Sequence, residues 1–451
     1  MSDRRKILDM FYGQKDTWQK RAEAGIEKHR KGDARIILKD KNGDPIKNLK
    51  INLRQISHEF RFGANLFMLD ELETSEKNEK YKTAFKELFN MATLPFYWNT
   101  LEPERGKPRY EKDSPKVYRR PSPDLCIEFC EKNGIEPREH ALAYDHFFPD
   151  WLANATVDEV KEELERHFSE ISERYADKIP TIEVTNELNW DVGRTSFYDD
   201  PDFIEWCFKL AEKYFPSNKL CINEVTGLSW KFRPHTTAQY YSYIEANMLK
   251  GARIDAIGMQ YHLFNRKENE YENTRMTLNP DQLYRHMDLM SLLKRPLQIT
   301  EVTVPAYSNE GEDEAIQAEI LEYLYTVWFS HPSVEQIIYW NLVDGYAHLW
   351  DPDPEKIKAS LGNMTLGENY YYGGILRFDL SKKPAFEKLR ELIKERWHTE
   401  CTCLTDGDGA VSVRGFYGSY ELSPDICEKD IKAVFNISKN GDNTHEIILD
   451  I

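Results

Sequence analysis

Short apolar runs alternate along this chain with longer segments whose apolar positions recur at helical spacing. The runs Phe62–Leu66, Met91–Leu94, Glu139–Ala143, Thr181–Glu187, Leu220–Asn223, Ala256–Gln260, Leu297–Glu301 and Gln336–Trp340 predict strands. Between them, segments such as Asp158–Tyr175, preceded by the capping box Thr156-Val157-Asp158-Glu159, and Glu314–Phe329 predict amphipathic helices. About eight such strand–helix units in succession predict a closed (β/α)₈ barrel of the α/β class rather than an open sheet.

The ends of the chain follow another pattern. Residues 5 to 30 predict a charged helix with Ile7, Leu8, Phe11 and Trp18 on one side. Ala34–Leu38 and Leu49–Leu53 alternate about the turn sequence Asn42-Gly43-Asp44-Pro45, which predicts a hairpin. After Trp397, alternation returns in Ala410–Arg414, Tyr417–Leu422, Ile431–Ile437 and Glu446–Leu449, with turns at Asp406–Gly409 and Asn440-Gly441. The expected organisation is an N-terminal helix and strands over residues 1–56, a barrel over 57–397, and C-terminal strands over 398–451. That tail packs with residues 34–53 into one small β-sandwich, with the barrel inserted between its halves.

Composition narrows the function classes. A chain of 451 residues that is 40% hydrophobic and 13% aromatic can bury a large core. Its 60 basic and 77 acidic residues give a formal charge of −17, which disfavours nucleic acid and anionic membranes as partners. The clusters Arg4-Arg5-Lys6 and Lys28-His29-Arg30-Lys31 read as solvated helix faces. No apolar stretch approaches the roughly 18 residues that span a bilayer, and the start Met1-Ser2-Asp3-Arg4-Arg5 lacks a signal-peptide core. A cytoplasmic protein, or a secreted one whose leader has been removed, fits equally. The cysteines Cys126, Cys130, Cys207, Cys221, Cys401, Cys403 and Cys427 show no zinc-type spacing and read as free thiols in a reducing compartment. A monomer without a cofactor is expected.

Two of the barrel strands end on a carboxylate, Glu187 after Thr185-Asn186 and Glu301 after Ile299-Thr300. In a barrel of this kind the chemistry gathers at C-terminal strand ends, and two facing carboxylates are the minimum for cleaving a glycosidic bond. Asn186 could offer its amide to a sugar 2-hydroxyl. His140, His146, His262 and His348 with Asp145, Glu187 and Glu301 also compose a metal-hydrolase set, but no pair has His-x-His spacing and no metal is expected. Trp98, Trp151, Trp190, Trp340 and Trp350 are candidate sugar platforms, with core packing an equal reading for all but Trp340.

Val184-Thr185-Asn186-Glu187 together with Ile299-Thr300-Glu301 resembles the strand-four and strand-seven signatures of the retaining (β/α)₈ glycosidases. Further stretches resemble glycoside hydrolase family 10, the endo-β-1,4-xylanases: Phe62-Gly63, Trp98 with Glu102-Pro103, His140, Leu220–Asn223, Asp255–His262, Tyr339–Asp344 and Lys383-Pro384-Ala385. Arg414-Gly415-Phe416-Tyr417-Gly418 is similar to the plant-type branch of that family. The resemblance implies a retaining double displacement on β-1,4-xylosidic bonds of xylan or xylo-oligosaccharides, with Glu301 as nucleophile and Glu187 as acid/base. It places Gln260 and His262 beside the nucleophile, His140 and Asn186 on the sugar being cleaved, and Trp340 beneath it.

The chain departs from the family where sugars are gripped. Thr93–Tyr97 replaces a Glu-Asn pattern and its lysine, Tyr144-Asp145 with His146 next replaces Trp-His, and His348 replaces a tryptophan. Tyr144 and Asp145 read equally as a new specificity pair or as harmless drift, and with Tyr97 they are where a specificity for decorated chains would lie. Another β-linked or decorated plant polysaccharide, or a barrel that binds saccharide without cleaving it, are the alternative readings.

Overall fold

The structure is a computed structural model that describes residues 3–188, 193–226, 230, 238–349, 353–425 and 431–450. The chain opens with helical turns and a helix, Lys15–His29, and then strand β1 (Lys31–Lys39) and strand β2 (Lys50–Gln55). The barrel strands are β3 (Arg61–Asn65), β4 (Met91–Pro95), β5 (Glu136–His140), β6 (Thr181–Asn186), β7 (Lys219–Asn223), β8 (Ala256–His262), β9 (Leu297–Thr303) and β10 (Val334–Tyr339). Neighbours pair in parallel in that order, and β10 closes the barrel on β3 with Gln336 beside Arg61 and Tyr339 beside Ala64.

Apart from β5, the strands follow the apolar runs closely. Strand β5 starts three residues earlier than expected: the helix Pro123–Asn133 ends on Gly134 in the left-handed region (φ 63°), and the strand follows almost at once. Left-handed backbone suits glycine, so Gly134 fixes the boundary. The expected capping box is formed, with Thr156 accepting from the Glu159 backbone and Glu159 from that of Thr156.

The tail strands are β11 (Glu400–Leu404), β12 (Ala410–Phe416), β13 (Gly418–Pro424), β14 (Ala433–Ile437) and β15 (Thr444–Ile448). They build two sheets, β12-β1-β15 and β11-β2-β13-β14, so the N-terminal strands lie within sheets completed by the C-terminal ones. The two sheets share a core of Ile36, Leu38, Ile51, Leu53, Tyr420, Leu422, Phe435 and Ile437. The hairpin expected between β1 and β2 is corrected: Gly43 makes its turn (φ 86°), but the two strands join different sheets. Each strand finds an antiparallel partner in the tail, Lys31–Ile37 on β12 and Lys50–Arg54 on β11.

An aromatic seam of Phe60, Phe62, Phe329, Trp397 and Phe416 joins sandwich to barrel. Arg30 is buried there with its guanidinium on the carbonyls of Phe329 (2.5 Å) and Val334 (2.7 Å). The helix Lys15–His29 lies so near the end of helix Gly311–Ser330 that a Cβ on Gly25 would stand 2.5 Å from the Ser330 carbonyl oxygen. No helix among the described residues is long and apolar enough to cross a membrane. Cys126, Cys130, Cys207 and Cys221 are buried free thiols and Cys401 and Cys403 are half-buried, while Cys427 lies outside the described residues.

Candidate active site

The cleft grows from a polar layer inside the barrel. Strands β5, β6, β7 and β9 point Arg138, Glu183, Cys221 and Gln298 inward, and all four are buried. Arg138 forms an ion pair with Glu183 and also reaches the Cys221 sulfur at 3.5 Å. Burial raises the Glu183 carboxyl, but Arg138 and then His140 outweigh it and hold the group below its ordinary range. A buried charge persists only when paired in this way.

Above this layer sits Asn223, at the end of β7. Its Nδ2 donates to Glu301 Oε1 (2.9 Å), Asn186 Oδ1 (2.9 Å) and Glu183 Oε1 (3.1 Å), while Thr300 donates to its Oδ1 (2.6 Å). The hub needs space on the neighbouring strand: a Cβ on Gly258 would lie 2.5 Å from Asn223 Oδ1. Gln260 extends the network, with Nε2 donating to Glu187 Oε1 (3.0 Å) and Asn186 Oδ1 (3.2 Å). Asn186 Nδ2 is buried without a partner, so a donor at the cleft wall is free for a ligand oxygen.

Glu187 follows β6 in the left-handed region at φ 52°, a conformation that costs a side chain about 1 kcal/mol or more. Surrounding bonds hold it there, the Glu187 N–H to the Asn223 carbonyl (3.2 Å) and the Leu188 N–H to Glu224 Oε1 (2.6 Å). The Tyr144 hydroxyl donates to Glu187 Oε2. Across the mouth, His262 Nε2 lies 3.2 Å from Glu301 Oε2, and the Thr303 hydroxyl lies 2.9 Å from His262 Nδ1. His262 thus links Thr303 to Glu301 through its two ring nitrogens. Burial lowers His262 from its ordinary value, which keeps that ring neutral near pH 7. Burial pushes the Glu301 carboxyl up to about 8; His140 opposes this, and the charges of Glu187 and Glu183 add to it.

A cleft of about 570 Å³ brings together Glu187, Glu301, Asn186, His140, Gln260, His262, Trp340, Tyr144 and Tyr97. Trp340 meets Phe67, His140 and His262 edge-to-face. His140 spans the site from Glu183 Oε1 (2.8 Å) to the Tyr97 hydroxyl (2.9 Å). Asp145 is corrected: it is absent from the cleft lining, because its carboxylate accepts the Thr195 hydroxyl (2.5 Å) and the backbone N–H groups of Arg194 and Thr195. Trp98 is buried against His167 at a ring separation of 4.2 Å, and Trp151 is half-buried against the core. Trp190 and Trp350 lie outside the described residues.

His140, Glu183 and Glu301 hold potential ligand atoms within 4.8 Å of one another. Arg138 and the Asn223 amide already engage those carboxylates. A larger cavity of about 660 Å³ opens at the other end of the barrel, where Arg61 pairs with Glu136 (2.7 Å) and Lys219 with Glu335 (2.8 Å). The unpaired donor and the perturbed carboxyl single out the smaller cleft as the site.

The sequence profile of glycosyl hydrolase family 10 matches residues 55–378, which span the barrel and both carboxylates. The chain belongs to glycosyl hydrolase family 10. Among relatives, anti-sigma-I factor RsgI6 of Acetivibrio thermocellus is 24% identical over 414 residues, 90% of this chain and 46% of that protein. Endo-1,4-beta-xylanase 2 of Arabidopsis thaliana is 23% identical over 463 residues, 100% of this chain and 36% of that protein. The chain therefore spans less than half the length of these two relatives. Among solved structures, native xylanase 10B from Thermotoga maritima matches with a TM-score of 0.58 at 20% identity, covering 75% of this chain and 96% of that one. Xylanase 10B from Thermotoga petrophila, solved with xylobiose, matches with a TM-score of 0.58 at 20% identity, covering 75% of this chain and 95% of that one. At this identity the structural likeness carries the barrel fold.

Asn223, Glu183, Arg138, Arg119, Arg120, Glu224 and Glu368 were not singled out from sequence. For Glu183 a signal exists: a charge inside a strand run that is otherwise largely uncharged must be buried and paired.

Proposed function

We propose that this chain is a retaining glycoside hydrolase that cleaves β-1,4-xylosidic bonds, with Glu301 as nucleophile and Glu187 as acid/base. The observation that carries the reading is the shared network of Asn186, Asn223 and Gln260, which ties both carboxylates to one cleft. In the first step Glu301 attacks the anomeric carbon while Glu187 gives its proton to the departing oxygen, forming a glycosyl-enzyme. In the second, Glu187 takes a proton from water, whose oxygen displaces Glu301 with net retention. Asn186 Nδ2, without a protein partner, hydrogen-bonds the 2-hydroxyl of the reacting sugar. The xylanase relatives support the substrate class, and a monomer acting on oligosaccharides completes the proposal.

The test is product analysis after incubation with linear xylohexaose and, in parallel, with arabinose- or glucuronate-decorated xylan fragments, using Glu301→Gln as the blank. Shorter β-1,4-linked products absent from the blank are expected. No cleavage of either substrate overturns the reading. Binding without cleavage then favours the saccharide-binding alternative, which gains weight from a relative named as an anti-sigma factor.

A further inference from the structure

One side of the cleft carries charge that the hydrolytic scheme does not use. Arg119 and Arg120 lie in the loop between β4 and helix Pro123–Asn133, line the cleft, and are 3% and 7% exposed. Arg119 is anchored by donating to Asn341 Oδ1 (2.5 Å) and to the Tyr346 carbonyl (2.6 Å). Arg120 lies over Tyr97, its guanidinium carbon 3.6 Å from the ring centroid. A guanidinium carbon this close to the ring centre packs the cation on the aromatic face.

The donors of Arg120 are largely unused. Of the five N–H groups an arginine carries, Arg120 commits one, to the Arg119 carbonyl at 3.0 Å, among the described residues. Its Nε is buried without a partner, as is that of Arg119. Neither guanidinium forms an ion pair with a described carboxylate, in contrast to Arg138 in the same barrel. Arg119 is linked through Asn341 to the Glu368 carboxylate, whereas no described carboxylate pairs with Arg120; a buried cation without a counter-charge is unfavourable, and burial draws Arg120 down to about 10. His348 beside them is pushed down to about 3 by burial and then by the two arginines, so it remains neutral and offers no counter-charge.

We propose that Arg119 and Arg120 form an anion subsite on the side of the cleft built by the first, second and eighth barrel strands, taking the carboxylate of a uronic acid unit in the glycan. A planar carboxylate matches the free edge of a guanidinium, and neutral hydroxyls would leave the charge uncompensated. Glu187 and Glu301 repel an anion near the reacting bond, which places the acidic unit beyond the sugar being cleaved. The inference rests on the glycosidase reading for the substrate and on the arginines alone for the charge.

The experiment compares a xylo-oligosaccharide carrying a glucuronate branch with the same molecule after reduction of its carboxyl to an alcohol. Binding to Glu301→Gln is measured by calorimetry and turnover by the wild-type chain. The acidic ligand is expected to bind at least about tenfold tighter, with a preference that shrinks as salt rises and falls toward unity in Arg120→Gln. Arg120→Lys, which keeps the charge but loses the flat fork, should retain part of it. If the arginine variants fail to fold, the ligand pair on the Glu301→Gln chain still decides. Equal affinity for the two ligands overturns the anion subsite, and turnover of both would then leave the hydrolase reading intact. A preserved preference without turnover of either overturns the hydrolase reading and leaves the subsite; no binding of either overturns both.

Discussion

The two sides of the cleft are built on different principles. On the side of β6 to β9, functional groups sit on strand ends and are locked to one another, so that Asn223 alone touches Glu183, Asn186 and Glu301. On the side of β3, β4, β5 and β10, Tyr97, Arg119, Arg120, Phe147 and His348 come largely from loops, meet mostly as edge-to-face rings and guanidinium groups over rings, and leave buried donors open. Rigid strands suit groups whose geometry must be held through a reaction, whereas loops can be rewritten without disturbing it. The comparison teaches that one cleft joins a wall of mutually locked strand-end groups to a wall of loop side chains with open donors.

If that division is right, substitutions on the strand side should damage turnover far more than those on the loop side. The largest effect is expected for Glu301→Gln, with a loss of at least about 10⁴-fold in kcat because the amide cannot form the glycosyl-enzyme, and a melting temperature within a few degrees of the parent. Glu187→Gln should cost about 10²- to 10⁴-fold on xylo-oligosaccharides, and much less on an aryl glycoside whose leaving group needs no proton.

That second variant also tests the electrostatics. Glu301 must be ionised to attack, and it is raised to about 8, so the acid limb of kcat/KM should lie well above the ordinary carboxylate range. The negative charge of Glu187 contributes to the rise. Its removal makes the Glu301 anion easier to form, so the acid limb of Glu187→Gln on the aryl glycoside should move to lower pH. A limb that stays fixed or moves up contradicts the coupling.

Asn223→Ala strips a donor from three buried acceptors and should cost about 1–3 kcal/mol of stability together with a drop in kcat of tens of fold, read by thermal melts and initial rates. Gly258→Ala should produce a weaker version of the same defect by crowding Asn223. The smallest effect belongs to the loop side: Tyr97→Phe removes the bond to His140 (2.9 Å) but keeps the ring under Arg120. It should change kcat/KM by less than about tenfold, mostly through KM. A Tyr97→Phe defect as large as that of Asn223→Ala would erase the distinction between the two sides.

The barrel and its two carboxylates were legible because strand runs such as Thr181–Asn186 and Leu297–Thr303 are buried along their whole length and deliver Glu187 and Glu301 at their C-terminal ends. Pairing across the sandwich was legible only in part. The alternation in Ala34–Leu38 and Leu49–Leu53 marks strands, but a turn between them does not say which strand each will choose, and the better partners lay more than 340 residues away. Asp145 misled because an acidic residue beside an expected specificity position looks the same whether it faces a sugar or ties down the backbone of Arg194 and Thr195. Arg119 and Arg120 were invisible for the opposite reason: in a polar loop, two arginines read as solvated until the fold places them over Tyr97 and beside Asn341.

The central claim is that Glu301 becomes covalently glycosylated in a cleft whose strand side is the reaction centre. Incubation with a 2-deoxy-2-fluoro-xylobioside carrying a good leaving group slows breakdown of that intermediate, and peptide mass mapping locates the label. The account predicts one fluorinated disaccharide on the peptide containing Glu301 and none in Glu301→Gln; a label on another residue, or turnover of xylohexaose with inversion and no label, would contradict it.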